Sequence, residues 1–203
     1  DGSVAKTICG AVESDGSSPG VTWTSGASAD FAEWLERVNV TEDINPGDII
    51  SVIGSKITKN TSGSSHYHVV STSPAILGNC PMGEARKKGN PVAFIGQAPV
   101  NVIGSVSTGD YIIQSGNNDG MGIAKSPDDM TFEDYTMIVG RSWESSEGEG
   151  LKQVNAAVGL DQKIPKKVIS ELSRVTQLES QVNELKEMYL QLASKLEAQD
   201  GSE

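Results

Sequence analysis

The carboxy-terminal part of the chain carries the pattern that most constrains its fold. After Pro165, apolar residues alternate at spacings of four and three over four heptads, which is the repeat of supercoiled helices. A seam of two positions per heptad is narrower than the apolar face of a helix packed on a globular core. Residues 166–198 are therefore predicted to form a coiled coil, with a solitary packed amphipathic helix as the alternative. The a positions are Val168, Val175, Val182, Tyr189 and Leu196, and the d positions are Glu171, which alone departs from the apolar pattern, Leu178, Leu185 and Leu192.

The heptad residues leave the number of helices open. Valine at a with leucine at d favours two strands, and Tyr189 in the seam weakens that preference. The pattern thus predicts self-association, and it does not decide between a dimer and a trimer.

Residues 29–145 show a second pattern, in which short β-branched runs are broken by Gly, Pro and Asn. Helical periodicity is missing between most of these runs, which favours an antiparallel or mixed sheet. The predicted fold class is therefore mainly β: a compact antiparallel or mixed β domain followed by a C-terminal coiled-coil helix. The predicted strands are 48–53, 67–71, 92–95, 100–103, 110–114 and 136–140.

Two related phrases, at 45–52 and 107–114, each place Gly-Asp directly before an apolar run. Glycine tolerates a positive φ, and aspartate can accept a hydrogen bond from its own turn, so both phrases predict tight turns that lead into strands. The repetition of this turn-and-strand pattern supports a compact β fold.

Three other segments complete the predicted organisation. Residues 1–28, rich in Gly, Ser and Asp, form an irregular lead-in segment. Residues 29–40 place Phe31, Leu35 and Val38 at helical spacing, which predicts a short helix at the start of the β domain. Residues 146–165 are predicted to be a linker before the coiled coil at 166–198, with a last β or irregular segment at 152–160.

Charge and composition exclude several classes of partner. The formal net charge is −11 and no basic patch interrupts it, so no nucleic-acid partner is expected. No stretch reaches the roughly 18–20 apolar residues that span a bilayer, so no membrane insertion is expected. Cys9 and Cys80 lie outside any zinc-binding spacing and are interpreted as buried thiols, with one long-loop disulfide as the alternative.

The histidines and a group of acidic residues are the candidates for chemistry. His66 and His68 are two residues apart and share one face of a strand, which makes them weak metal-ligand candidates; no cofactor is predicted. Asp30, Glu33 and Glu36 are three apart and would share one face of a helix, where they could act as general acid and base. A solvated acidic face at a helix start is the more common outcome of that spacing.

The phrase ADFAEWLE at 29–36 resembles the Ala-Asp-(aromatic)-Ala-Glu-x-x-Glu motif that opens a known domain family. The family is the C-terminal intramolecular-chaperone domain, an autoproteolytic domain of Bacillus phage preneck-appendage and tail-fibre proteins. Later phrases follow in the same order as in that family: SPAILGN at 73–79, PVAFIGQ at 91–97, SGNNDG at 115–120, and a terminal coiled coil.

This resemblance implies a parallel homotrimer at the C-terminus of a viral fibre. Such a module helps the upstream fibre region of the same precursor to assemble and is then released by self-cleavage. Its expected location is the virion fibre or appendage, or the host cytoplasm after release. The family's acidic residues are linked to that cleavage, which implies the role for Asp30 and Glu33, with Glu36 as a third candidate. No turnover of external substrates is expected.

The alternative function is that of a permanently attached receptor-binding fibre tip or adhesin. In that case loops 60–65 and 114–120 would contact a receptor on the host surface.

Overall fold

The computed structural model describes residues 12–13, 22–23, 29–64, 66–159 and 166–200. These fall into two units. The first is a β domain that uses the described residues up to Met130 and those of 137–159, and the second holds Thr131–Thr136 and the C-terminal helix. None of the helices in the described part of the chain is long and apolar enough to cross a membrane.

The β domain contains one large sheet of ten strands, and a separate antiparallel pair is formed by β1 (Val12–Glu13) and β2 (Thr22–Trp23). Short 3-10 helices cover Gly83–Lys88, Pro127–Asp129 and Asp134–Thr136. The C-terminal helix α1 runs over Lys166–Asp200. The strands of the large sheet are β3 (Ala29–Arg37), β4 (Ile49–Ile53), β5 (Lys56–Thr58), β6 (Tyr67–Val70), β7 (Ile76–Gly78), β8 (Gly89–Ile103), β9 (Tyr111–Gln114), β10 (Gly122–Lys125), β11 (Ile138–Ser142) and β12 (Leu151–Val158).

The sheet closes on itself twice, and β8 belongs to both closed rings. One ring runs β8–β12–β11–β9–β10 and returns to β8, and the other runs β8–β6–β4–β5–β3 and returns to β8. Most neighbours are antiparallel, while β10–β8, β3–β5 and β3–β7 are parallel. The mainly β fold class with a mixed sheet and a C-terminal helix is therefore confirmed.

The long strand β8 joins two segments that the sequence predicted as separate strands, 92–95 and 100–103. Gly96 and Pro99 suggested a break, but the register with β3 instead shifts between Phe31 and Ala32, which marks a β-bulge. Gly96 has a φ of +129°, a conformation that side chains rarely adopt, so glycine lets the strand bend and continue.

Two apolar clusters lie around β8. Val100 and Val102 belong to the larger cluster, together with Ile49, Ile112 and Val154. The smaller cluster contains Val92 of the same strand with Ile44, Ile50, Ile57 and Val70. Strand β8 therefore contributes to both halves of the core.

The short helix predicted for residues 29–40 is wrong, because this segment is strand β3. Its burial alternates residue by residue from Ala29 to Glu33, which is the period of a strand. The cause is long-range: β3 pairs with β8 from Ala29–Gln97 to Glu36–Gly89. Ladder hydrogen bonds with a strand that follows about 50 residues later outweigh a weak local preference for helix.

The linker predicted for 146–165 contains a strand: β12 runs from Leu151 to Val158, where the sequence left a β or an irregular segment open. Val154 and all three residues from Ala156 to Val158 are buried, and the strand pairs with β8 along its whole length. Most of the lead-in segment 1–28, and the end of the linker, lie outside the described residues.

Both Gly-Asp turns form as predicted. The N–H of Asn45 donates to Oδ2 of Asp48 at 2.8 Å, and the N–H of Ser107 donates to Oδ2 of Asp110 at the same distance. The aspartates thus bind the backbone three residues upstream, and strands β4 and β9 begin directly after them.

Candidate functional site

Asp30 occupies a buried position in β3 where three elements meet. Its residue pairs with Gly96 of β8, and its carbonyl accepts a hydrogen bond from the N–H of Ala75 at 2.8 Å. A Cβ on residue 96 would lie 2.7 Å from Cα of Asp30 and would also collide with the carbonyl of Ala29. The two backbones therefore approach closely at Asp30, and only 3% of this residue is exposed.

Ser71 is the polar side chain that faces the Asp30 carboxyl. Ser71 follows β6, and its N–H donates to the carbonyl of Pro91 at 2.9 Å. Within the described residues, Oδ2 of Asp30 and Oγ of Ser71 are both buried without a hydrogen-bond partner. Burial raises the pKa of the Asp30 carboxyl, and the nearby Ser71 hydroxyl and the backbone N–H of Asp30 offset part of that rise.

Glu33 lies on the opposite face of β3 and is exposed. Three residues separate it from Asp30, so the alternation of a strand turns the two side chains away from each other. Its Oε2 accepts a hydrogen bond from Nδ2 of Asn79 at 2.9 Å, and residue 78 of β7 is its pairing partner.

Glu36 forms an ion pair at the end of β3. Its Oε2 lies 2.9 Å from Nζ of Lys56. The hydrogen bond and the charge of Lys56 lower the pKa of the Glu36 carboxyl, so that it stays ionised. At about 3.3 Å per residue, its backbone lies roughly 20 Å from that of Asp30.

The expected convergence of Asp30, Glu33 and Glu36 on one helical face is therefore wrong, because a strand disperses residues at spacing three. The structure instead brings Asp30 together with Ser71. Sequence reasoning missed Ser71, since it ends an apolar run and no spacing connects it with residue 30. The catalytic roles of the three acidic residues stay predictions.

Asp48 is a second buried aspartate, and its carboxyl holds a turn together. Burial raises the pKa of Asp48, while hydrogen bonds from the Asn45 N–H and the Asn101 side chain offset part of the rise. Both of its oxygens are bound: Nδ2 of Asn101 donates to Oδ1 at 2.8 Å, and the Asn45 N–H donates to Oδ2. Asp48 is therefore a satisfied turn residue, in contrast with Asp30.

Of the two loops proposed as a contact surface, 60–65 and 114–120, the described residues 60–64 of the first lie beside the second. The N–H of Thr61 donates to Oδ1 of Asn118 at 2.8 Å, and Oγ1 of Thr61 donates to Oε1 of Gln114 at 2.9 Å. The structure thus joins two loops that lie far apart in the sequence into one polar surface.

The remaining candidates take ordinary positions. His66 is exposed, and the ring of His68 lies 5.2 Å from that of Phe94. Among the described residues, no group of three or more potential ligands could hold a metal ion. The thiol of Cys80 is half-buried and lies 3.7 Å from the carbonyl of Pro81, while Cys9 lies outside the described residues.

The chemistry available at the Asp30 site follows from burial. A carboxyl in apolar surroundings holds its proton to higher pH than an exposed one, so it can donate that proton as a general acid. Among the contributions to the pKa of Asp30 in the described residues, none comes from a charged side chain. The site is therefore suited to a neutral carboxylic acid.

No family model matches this sequence, and no curated protein is significantly similar to it in sequence. Among solved structures, the C-terminal fragment of gene product 12 of bacteriophage phi29 aligns with a TM-score of 0.47 and 15% identity. That alignment covers 64% of this chain and 99% of the phage fragment. A likeness of this degree assigns no role to the chain.

Proposed function

We propose that the chain is a trimerising intramolecular chaperone at the C-terminus of a viral fibre or appendage protein, and that self-cleavage releases it. The observation that carries this proposal is the exposed heptad seam of α1. Val175, Leu178 and Val182 are 47–50% exposed, and Leu185 and Leu192 are 60–61% exposed. A single chain leaves this apolar stripe in water, and helices of further copies would bury it.

The physical benefit of such a module comes from the order of events in assembly. Long β fibres depend on contacts between distant residues and on the register between chains, so their nucleation is slow. A bundle that forms first holds the fibre chains at high effective concentration. The proposed role of α1 is to bring the chains together before their fibre regions pair.

The 29–36 motif resembles that of a trimeric domain family, so we propose three copies and not two. Sedimentation equilibrium at micromolar concentration tests this, since a trimer has three times the 21.4 kDa mass of the chain. The expected result is a single trimeric species, and a monomer or a clean dimer would contradict the proposal.

The proposed cleavage uses Asp30 as a general acid and Glu33 as its base. Because these two side chains of one chain face opposite sides of β3, we expect Glu33 of a neighbouring copy to complete the site. Peptide hydrolysis needs both groups within hydrogen-bond reach of the reacting atoms.

Expression of a longer precursor with its natural upstream sequence tests the cleavage. Mass spectrometry of the wild type should show a released fragment that contains residues 29–203. Asp30→Asn and Glu33→Gln precursors should remain trimeric and uncut, because each loses a proton-transfer group and keeps its shape. Processing of both variants at the wild-type rate would refute the proposed roles.

A mixing experiment tests the contribution of a neighbouring copy. Co-expressed Asp30→Asn and Glu33→Gln chains form mixed trimers in which an intact Asp30 can meet an intact Glu33 of another chain. Partial cleavage is expected in the mixture, while each variant alone stays uncut. Lack of cleavage in the mixture would place both groups in the same chain.

The joined loops favour a second candidate function, a permanently attached fibre tip. The buried Thr61 is hydrogen-bonded to Asn118, and these bonds hold the two polar loops together. A mature fibre that keeps the full precursor mass would support this candidate, whereas a released fragment supports the chaperone.

A further inference from the structure

The strongest unexplained feature of the β domain is a pair of buried polar side chains, Asp30 and Ser71, that interact without a well-formed hydrogen bond. Asp30 is 3% and Ser71 is 1% exposed, and Oδ2 of the first and Oγ of the second lack a hydrogen-bond partner among the described residues. Buried polar groups in folded proteins are almost always bonded, so an unsatisfied pair requires an explanation. Neither atom contributes a hydrogen bond that holds the described fold together.

We propose that Ser71 is the positioning residue of Asp30: its hydroxyl binds one carboxyl oxygen during the reaction and directs the other, protonated oxygen towards the scissile peptide. This inference rests on the proposed self-cleavage. Ser71 lies outside the acidic motif, and in this inference it orients the Asp30 carboxyl of its own chain.

The backbone around the pair holds it in place. The segment from Ser71 to Ala75 is fixed at both ends, by the hydrogen bond from Ser71 to Pro91 of β8 and by the one from Ala75 to Asp30 of β3. Gly96 allows β8 to pass close to Asp30 on the other side. We expect the hydrogen bond from the Ser71 hydroxyl to the carboxyl to tighten when the reaction begins, as catalytic hydrogen bonds often do.

Other polar groups of the motif are less suited to this role. Glu33 lies on the outer face and is bound by Asn79, and Glu36 is paired with Lys56. Among the contributions that described residues make to the pKa of Asp30, that of Ser71 is the only one from another residue's side chain.

The reaction is a balanced hydrolysis. A water oxygen adds to the peptide carbonyl carbon, and a base takes one proton from that water. The C–N bond then breaks, and the leaving nitrogen takes the carboxyl proton of Asp30. The products are a carboxylic acid and an amine, and proton exchange with solvent removes the proton from the base and returns one to Asp30. Ser71 neither forms nor breaks a covalent bond in this reaction.

The test compares Ser71→Ala and Ser71→Thr in the precursor with its natural upstream sequence. Ser71→Ala removes an unpartnered hydroxyl, so the protein should fold, and melting curves confirm this. Ser51→Ala is the matched control, because Ser51 is also fully buried and its hydroxyl donates to Asn60 instead. Carbon-13 NMR of the aspartate carboxyls measures the pKa of Asp30, with Asp30→Asn assigning its signal.

Ser71→Ala is expected to slow processing about tenfold, because positioning is lost. It should also raise the pKa of Asp30, because the hydroxyl that lowers it is gone. The high-pH limb of the rate profile should move to higher pH with it, since the acid form reacts. Ser71→Thr should restore both properties, and Ser51→Ala should change neither.

Two results separate the failure of this inference from that of the proposed function. Should Ser71→Ala keep the wild-type rate, pH profile and Asp30 pKa while Asp30→Asn blocks cleavage, the inference is overturned and self-cleavage stands. Should the wild-type precursor stay uncut, self-cleavage fails and the role of Ser71 in it fails too. The NMR titration of Ser71→Ala then still decides whether the two side chains interact.

Discussion

Asp30 is a carboxyl whose surroundings favour its neutral form. Because burial raises its pKa in the folded protein above the ordinary value of 3.8, the folded state holds this proton more tightly than the unfolded state. The resulting stabilisation is fully present below pH 3.8 and is lost as the pH rises through the raised pKa. At neutral pH, the buried group therefore costs stability.

We expect Asp30→Asn to stabilise the β domain at pH 7, by about 1–3 kcal/mol, since an uncharged amide avoids the cost of a poorly solvated carboxylate. The gain should shrink as the pH falls towards 3.8. Urea unfolding at fixed protein concentration, at pH 4 and pH 7, measures it. An equal difference at both values would contradict the proposed cause.

Asp48→Asn serves as the contrasting variant. Both oxygens of Asp48 accept hydrogen bonds, from the Asn45 N–H and the Asn101 side chain, and an amide cannot accept on both sides. This variant should therefore lose about 1 kcal/mol or more at pH 7. The opposite signs at two buried aspartates would distinguish an unsatisfied carboxyl from a satisfied one.

Gly96 is required by both conformation and space. Its φ is +129°, and an added Cβ would lie 2.7 Å from Cα of Asp30. We expect Gly96→Ala to lower the free energy of unfolding by about 3 kcal/mol or more. Gly104→Ala is the control, because Gly104 has a φ of +88° with open space around it, and only about 1 kcal/mol of strain is expected there. Equal losses would show that crowding at Asp30 is unimportant.

At the scale of elements, strand β8 connects the two closed rings. Val92 packs in the smaller core cluster and Val100 in the larger one, and both are fully buried. A destabilising substitution at either end of this strand should therefore lower the stability of the whole β domain.

We expect Val92→Ala and Val100→Ala each to cost about 2 kcal/mol, from two lost methyl groups and the cavities they leave. Each variant should still unfold in one cooperative transition, because the two rings share a strand. Ile103→Ala, in the same strand but partly exposed, should cost clearly less. Circular dichroism and tryptophan fluorescence should give coincident curves, and two separate transitions would show that the rings fold independently.

At the scale of the whole molecule, the heptad seam decides how many chains associate. Replacing Leu185 and Leu192 by Asp would place uncompensated charges in the proposed bundle, at several kcal/mol for each buried charge. The double variant should sediment as a monomer with an intact β domain.

The double variant Ser180→Asp and Ser194→Asp is the matched control. It adds the same charge at heptad positions that face away from the seam, so it should keep the oligomeric state of the wild type. If both double variants dissociate, general repulsion in a chain of net charge −11 would explain the result, and the seam would not be needed.

Local patterns predicted the elements whose residues interact within a few positions. The helix α1 follows from its heptads, and the two Gly-Asp turns follow from aspartates that bind backbone three residues away. Strands β4, β6, β9 and β11 were predicted from β-branched runs between turn residues. The short strands β5, β7 and β10 carry too few residues to show a period.

The sequence by itself determined the fold class, the turns and the helix, because each depends on periodicity or on hydrogen bonds between near neighbours. Only the tertiary structure decided that residues 29–37 form a strand and that Ser71 faces Asp30. Both depend on β8, which follows β3 by about 50 residues and supplies its ladder of hydrogen bonds. Pairing between distant strands produces no periodic pattern in either segment. The spacing of the acidic residues at 30, 33 and 36 therefore predicted a helical face, whereas pairing with β8 makes the segment a strand in which Asp30 is buried.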